Sequence, residues 1–414
     1  MNRDEGRPPP PITILHVITR LVRGGAQLVV RDLLRHADHG EFRVVVAAGP
    51  ETGSEGSLWE EIESFGIETH RVPSLQREIQ PRLDLRALGE LRTLIREIQP
   101  NVVHAHTSKA GLLGCRAARS ERVPAIVFAP HGHIAASGAK IPGVPDRGWK
   151  RWLLRTLARY NSKLAHVVVA PNESERRDGI QHGMWSDGGS ITIPNGIDTE
   201  RFQPRNAADA RTLAGWPKAD AESDAPRLMG CVARLTEEKG VDLAVCALRD
   251  LPDVTLVVIG DGPERPRLEQ LAAEIGVADR VIFHGITEDV SALYSAFDLV
   301  VVPSRTEAHG LVAAEALACG VPVVTSGVGG LRSIVVPGKT GLHFGKDDPA
   351  ALAAVARQLL DNPDRANTLA EAGRAHVAHS FSLRTMISRT ERLYRELLTD
   401  SPAAVPSRTA APAS

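Results

Sequence analysis

Two carboxylates, Glu307 and Glu315, stand on either side of a glycine, Gly310, in the segment DLVVVPSRTEAHGLVAAEALACGVPVV. The segment reads as a buried strand, a turn over Ser304 to Ala308, a helix from about Gly310 and a further strand. Gly320 ends that helix and Pro322 keeps it ended. A helix start here presents the free amides of Gly310, Leu311 and Val312, with no side chain on Gly310 to block close approach. A diphosphate fits such a site. A carboxylate does not usefully touch a phosphate without a bridging cation, so the two glutamates are expected to take hydroxyl groups: Glu315 those of a ribose, Glu307 those of a transferred sugar. A solvated helix charge does not explain an acid at Glu315 among Val312, Ala313, Ala314, Ala316 and Leu317; for Glu307 alone it explains the residue as well. Upstream, in GCVARLTEEKG, Arg234 directly follows a strand and Lys239 comes five residues later at the start of the next helix. Taken singly, each cation is an ordinary surface charge. Together behind a strand end they can stabilise the negative charge that builds on a departing nucleoside diphosphate.

The elements that must position these groups follow from the apolar pattern. The chain has 414 residues, too many for one core, and fits two domains. Short β-branched runs alternate with amphipathic helical stretches: Ile12 to Ile18, Arg43 to Ala47, Val102 to Ala105, Ala125 to Ala129 and Ala165 to Val169 are the clearest early strands. After a polar stretch at Gln203 to Arg227 the alternation restarts, with strands at Leu228 to Val232, Val254 to Ile259, Arg280 to Phe283, Leu299 to Val302 and Val321 to Val324. Continuous apolar runs suit parallel strands covered on both faces, so two doubly wound α/β sheets are expected. Residues just beyond the strand ends are then the ones that meet ligands. In the first half these are Gly24 and Gly25, His104 and His106, and His131-Gly132-His133. In the second they are Arg234 and Lys239, Gly260-Asp261-Gly262-Pro263, and Glu307 to Glu315.

Composition excludes other classes. Lys plus Arg number 49 against 50 for Asp plus Glu, so no global field favours nucleic acid. The four cysteines, Cys115, Cys231, Cys246 and Cys319, lie far apart and read as buried thiols in a reducing compartment. Neither an apolar leader nor a run of about 20 apolar residues is present, which predicts a cytoplasmic protein. The pairs His104/His106 and His131/His133 have the spacing that puts two imidazoles on one strand face, as a zinc chelate needs. No cysteine or nearby carboxylate completes such a site, and no metal is expected.

Several of these motifs resemble the retaining GT-B glycosyltransferases of family four, over most of the chain. Glu307 and Glu315 match the E-x7-E motif, and Arg234 with Lys239 the diphosphate clamp. ITIPNGID at Ile191 to Asp198, VIGDGPE at Val258 to Glu264 and Gly24-Gly25 after the first strand match further. The resemblance implies two Rossmann-like domains with parallel sheets facing across a cleft: an acceptor-binding domain at 12–195, a nucleotide-sugar-binding domain at 196–380 and a helix at 381–400 returning to the first. Residues 1–11 and 401–414, rich in Pro, Ala and Ser, are expected to be disordered. It implies transfer with retention of anomeric configuration and no catalytic metal or other cofactor. His131 matches the family histidine beside the donor sugar. Gly24, Gly25, Gly260, His309, Gly310, Leu311, Val312 and Glu315 fall to donor binding, His131, Arg234, Lys239 and Glu307 to catalysis, and His104 and His106 to an acceptor or structural role. VVHAHTSKAGLLG looks like members that build bacterial exopolysaccharide, capsule or glycan precursors on lipid carriers, so the acceptor is expected to be a glycan or lipid-linked sugar and the donor a UDP-sugar.

The chain departs from the family pattern at Ala308-His309, where Gly or Pro and an aromatic are usual, and at Leu331-Arg332-Ser333, where Pro and Glu are common. His309 either contacts the donor or fills the aromatic's space. A sugar-nucleotide 2-epimerase uses the same fold, and a binding-only relative is the other alternative. A dehydrogenase lacks its G-x-G-x-x-G at Leu21 to Ala26. A last signal is the helix at 147–163, where Arg147, Arg151, Arg155, Arg159 and Lys163 recur every four residues without an acid. It suits peripheral contact with the inner face of an anionic membrane, or simply a surface helix packed on the sheet.

Overall fold

The structure is a computed structural model that describes residues 10–51, 56–131, 149–216, 227–287 and 289–399. The tail from 400, Gly132, His133 and Arg147 lie outside the described residues, as do 1–9 of the segment expected to be disordered; Pro10 and Pro11 are exposed chain leading into the first strand. The chain divides into two compact units: Met1–Pro171 with Glu175–Ile193 and Ile387–Ser414, and Asn172–Ser174 with Pro194–Met386.

The first unit holds a parallel sheet of β1 (Ile12–Arg20), β2 (Phe42–Gly49), β3 (Glu68–Arg71), β4 (Val102–His106), β5 (Ala125–Ala129), β6 (Val167–Ala170) and β7 (Ser190–Thr192), in the order β3-β2-β1-β4-β5-β6-β7. The second holds β8 (Arg227–Val232), β9 (Val254–Ile259), β10 (Val281–Gly285), β11 (Leu299–Val302), β12 (Val323–Thr325) and β13 (Leu342–His343), in the order β10-β9-β8-β11-β12-β13. Both are Rossmann-like α/β sheets. In each, strand order reverses once, between β1 and β4 and between β8 and β11, and the space beyond the strand ends at such a reversal is where these sheets take ligands.

Burial explains why these runs form central strands. Along β9, Val254, Leu256 and Val258 pack into one core with Met229 and Cys231, while Val257 and Ile259 pack into another with Leu228 and Val300. Alternate residues of one apolar run thus bury against helices on opposite faces. Each such side chain contributes about 1.5–3 kcal/mol.

The structure adds to the sequence expectations and corrects some of them. β3, β7 and β13 were not foreseen: they are short edge strands, and ETHR in β3 carries no apolar run. The stretch 203–227, read as a polar link, contains a helix, Ala207–Ala214, whose Asn206 cap accepts the Asp209 amide at 3.1 Å. Asn172–Ser174 group with the second unit, where the Asn172 side chain donates to the Ala308 carbonyl at 2.6 Å. Residues from Ile387 in the last helix, Leu383–Thr399, belong to the first unit. There Arg395 forms a bidentate pair with Glu41 at 2.6 and 2.7 Å. Cys115, Cys231 and Cys319 are buried with thiols pushed up to about 12 by desolvation, but Cys246 is only half-buried. No helix among the described residues is long and apolar enough to cross a membrane.

Candidate functional site

In the second unit, the site is built from loops at the ends of β8, β9 and β11. After β8 the chain makes a short turn, Glu237–Lys239, and Gly240 starts the helix Val241–Ala247. The turn aims Lys239 at the loop after β11, where its ammonium donates to Glu307 Oε2 at 2.8 Å; the Ser304 hydroxyl donates to the same oxygen at 3.0 Å. Burial opposes ionisation of Glu307, but the charge and hydrogen bond of Lys239 and the Ser304 hydroxyl outweigh it and hold the carboxyl below its usual range. The Glu307 loop is anchored in turn by Arg305, whose guanidinium clamps Asp242 through two 2.7 Å bonds and whose amide donates to the Glu238 carbonyl at 2.8 Å.

The helix Leu311–Ala318 begins beside this pair. Its cap, Gly310, has φ 79°, a left-handed conformation that favours glycine, and an added Cβ would lie 2.8 Å from Leu331 Cδ2. Leu311 and Val312 follow, partly buried, with the helix amides of the first turn facing the loop end. His309, immediately before the cap, accepts through Nδ1 a hydrogen bond from the Asn195 side-chain amide at 2.9 Å, which leaves its proton on Nε2. The histidine at the family's aromatic position is therefore held by a polar bond. Ser333 donates to the Gly330 carbonyl at 2.7 Å, so it caps its own turn.

Glu315 sits one turn into the same helix and receives the Tyr294 hydroxyl at 2.6 Å. Burial raises its carboxyl above the usual range, against the opposing Tyr294 bond and Arg201 charge. A raised carboxyl binds its proton more tightly in the folded chain, so the stability it contributes is present at low pH and lost as pH rises through the shifted value. Glu315→Gln is expected to flatten that decline in urea-melt stability while weakening nucleotide affinity about tenfold, the worth of one hydrogen bond to a charged group. An unchanged affinity would remove Glu315 from the binding site.

The sequence placed Arg234 and Lys239 together, and the structure separates their partners. Arg234 is 67% exposed and pairs with Glu238 at 3.2 Å. Gly260, at the end of β9 with φ 127°, lies against the Ala233 carbonyl, and the Leu235 amide donates to the Asp261 carbonyl at 2.9 Å. The VIGDGPE loop thus supports the Arg234 loop from below.

In the first unit, Gly24 caps the helix Gly25–Arg35, and a Cβ on Gly25 would meet no described atom within 4 Å, so local packing does not require glycine there. His131, two residues beyond β5, adopts φ 52°, and Thr107, beyond β4, φ 67°. Such conformations cost of order 1–3 kcal/mol for non-glycine residues and cluster at functional sites. His104 and His106 are fully buried on one face of β4. Sequence reasoning missed His16 on β1, which pairs in register with His104 and hydrogen-bonds His106 (Nδ1 to Nε2, 3.0 Å). His106 Nδ1 lies 2.8 Å from His131 Nε2, and His104 Nδ1 lies 2.7 Å from the Tyr394 hydroxyl. Tyr294, Asn195 and Ser304 were missed as well, because each acts through a partner far away in sequence.

The basic helix spans Trp149–Leu164. Ala158 and Asn161 are buried, while Trp152 is 68% and Tyr160 42% exposed; Arg159 donates to the Gly183 carbonyl at 2.6 Å. Trp152 and Tyr160 therefore face solvent on the helix that carries these cations.

Comparison with known proteins matches the family described as Glycosyl transferases group 1 at residues 216–376, and Glycosyltransferase Family 4 at 23–201. The chain is 34% identical over 286 residues to a D-inositol 3-phosphate glycosyltransferase of Xylanimonas cellulosilytica, covering 66% of this chain and 67% of that one. It is 31% identical over 353 residues to D-inositol 3-phosphate glycosyltransferase 1 of Catenulispora acidiphila, covering 80% and 82%. Among solved structures, the Anabaena protein HepE in complex with UDP superposes with a TM-score of 0.77 at 23% identity, covering 93% of this chain and all (100%) of that one, a likeness of the GT-B fold.

Proposed function

The chain belongs to the group 1 glycosyltransferases, and from that premise we propose that it is a retaining, metal-independent enzyme moving a hexose or N-acetylhexosamine from a UDP-sugar to a glycan or lipid-linked acceptor in bacterial exopolysaccharide, capsule or glycoconjugate synthesis. The observation that carries the reading is the Lys239–Glu307 pair beside the Gly310 helix start, a fixed cation and free amides at one strand-order reversal.

In the proposed reaction the anomeric C–O bond breaks and its electron pair goes to the diphosphate, where Lys239, the Leu311 and Val312 amides and Arg234 stabilise the new charge without reorganising. The acceptor oxygen attacks the face the diphosphate leaves, and its proton passes to a diphosphate oxygen, so no side-chain nucleophile is needed. Glu307, kept ionised by Lys239, takes sugar hydroxyls, Glu315 the ribose, and His309 and Gly260 line the donor. His131, Gly24 and Gly25 are assigned to the same reaction, and no cofactor is required. Incubation with UDP-sugars and NMR of the product tests this: UDP release with an unchanged anomeric configuration supports it, and an inverted product or an acceptor-independent epimer overturns it.

The exposed Trp152 and Tyr160 among the cations of Trp149–Leu164 support peripheral membrane contact at the cytoplasmic face. Charge reversal at Arg151, Arg155 and Arg159 is expected to abolish flotation with anionic vesicles; flotation that survives it would remove the helix from the proposal.

A further inference from the structure

The first unit contains a group of imidazoles that the transfer chemistry does not use. His16, His104 and His106 come from neighbouring central strands, are at most 2% exposed, and offer ligand nitrogens that all lie within 4.8 Å of one another. We propose that these three residues form a binding site for a late first-row divalent metal ion of the zinc class, buried under the β1–β4 strand-order reversal.

Four observations carry it. First, His104 Nε2 is buried with no hydrogen-bond partner among the described residues, while its Nδ1 is taken by Tyr394. A chain of hydrogen-bonded imidazoles accounts for His16 and His106 but leaves this nitrogen unexplained. Second, the far nitrogens are held as those of metal-bound histidines are held: His104 Nδ1 by the Tyr394 hydroxyl and His106 Nδ1 by His131 Nε2. Third, the three rings are gathered into one buried group, with centroids 5.3 Å apart for His16 and His104, 5.3 Å for His16 and His106, and 4.1 Å for His104 and His106. Fourth, a cavity of about 10 Å3 borders His16 and Tyr394, lined also by Thr390 and Glu391. That is room for at most a single water, between mostly apolar walls.

One pair of nitrogens already stands near ligand spacing, while the group as a whole, within a 4.8 Å limit, must contract around an ion. Zinc–nitrogen bonds of about 2.0–2.1 Å in a tetrahedron set nitrogens about 3.4 Å apart; His16 Nδ1 and His106 Nε2 are at 3.0 Å. Binding displaces the one proton these two nitrogens share, which moves to the outer nitrogen of the same ring, so no net proton is released from the pair. In that state His106 Nδ1–H donates to His131 Nε2 and His104 Nδ1–H donates to the Tyr394 oxygen. The ion thereby ties the last helix to the sheet. The choice of imidazole alone favours zinc, copper or nickel over magnesium or calcium.

The site lies within the first unit and stands apart from the donor reading, and its test uses no nucleotide. The full chain, purified without a polyhistidine tag and stripped with chelator, is loaded with Zn2+ or Co2+, desalted and assayed by elemental analysis and visible absorption. The expected result is about one equivalent of metal, with the intense absorption of tetrahedral Co2+, and less than a tenth of that in His104→Phe. Should that variant fail to fold by circular dichroism, His16→Gln and His106→Gln serve in its place, with the same loss expected. A folded wild-type chain holding less than a tenth of an equivalent, or metal retained in folded variants, overturns the proposal and leaves the three residues a purely structural cluster.

Discussion

Lys239→Ala lowers turnover at saturating donor by roughly 10²–10³-fold, the usual loss when one fixed group that stabilises developing charge is removed. Lys239 is the ammonium that reaches Glu307 at 2.8 Å, and its removal acts twice. On the proposed reading the leaving diphosphate loses a fixed cation, and Glu307 loses the charge that keeps it ionised, so its carboxyl rises toward the usual range. The sign of the second effect is specific: Glu307 contributes stability that is present above the ordinary carboxylate range and lost as pH falls through its depressed value. The variant should therefore lose stability at neutral pH, and its activity should fall away at a higher pH on the acid side than wild type does. Lys346→Ala, an exposed lysine, is the control, and equal activity of the two variants in steady-state kinetics would refute the role of Lys239.

Gly310→Val has the second large effect, on binding more than on the chemical step. A β-branched residue at φ 79° is strained by about 1–3 kcal/mol, and the Cβ would stand 2.8 Å from Leu331 Cδ2. The methyls would also cover the amides of Leu311 and Val312. Donor affinity is expected to fall more than tenfold, as seen by calorimetry, with a thermal midpoint several degrees lower. Gly338→Val, also at positive φ but with an open surrounding, separates the two: it should share the loss of stability and keep the affinity.

The parts of the fold that were legible in sequence are those where one local pattern has one physical solution. The runs at Val254 to Ile259 and Leu299 to Val302 could only be strands buried on both faces, and the strand-end rule then located the loops of Lys239 and Glu307. Edge strands were illegible because they bury little: Glu68–Arg71 alternates charge and polarity, and Leu342–His343 is two residues long. Within the site, residue types could be read but partners could not. Lys239 and Glu307, Tyr294 and Glu315, and Asn195 and His309 are joined by the meeting of loops whose sequence separation hides the contact. His16 was hidden for the same reason, since a histidine inside the apolar run ITILHVITR acquires meaning only when the first strand lies beside the fourth. His309 illustrates a different limit: its type departed from the family pattern, and the Asn195 bond that holds it was not visible in the sequence.

The most direct test of the central claim is the rise in melting temperature that UDP, GDP and ADP sugars induce in the wild type and in Lys239→Ala, each with and without EDTA. The quantity to compare is the donor-induced increment, since stripping a structural ion would lower the baseline alone. The expected result is a rise with UDP-sugars of several degrees at a donor concentration of about 100 times Kd, preserved in EDTA and mostly lost in Lys239→Ala. No rise with any nucleotide sugar, or a rise that EDTA abolishes, would contradict a metal-free diphosphate site at Lys239, Glu307 and Gly310.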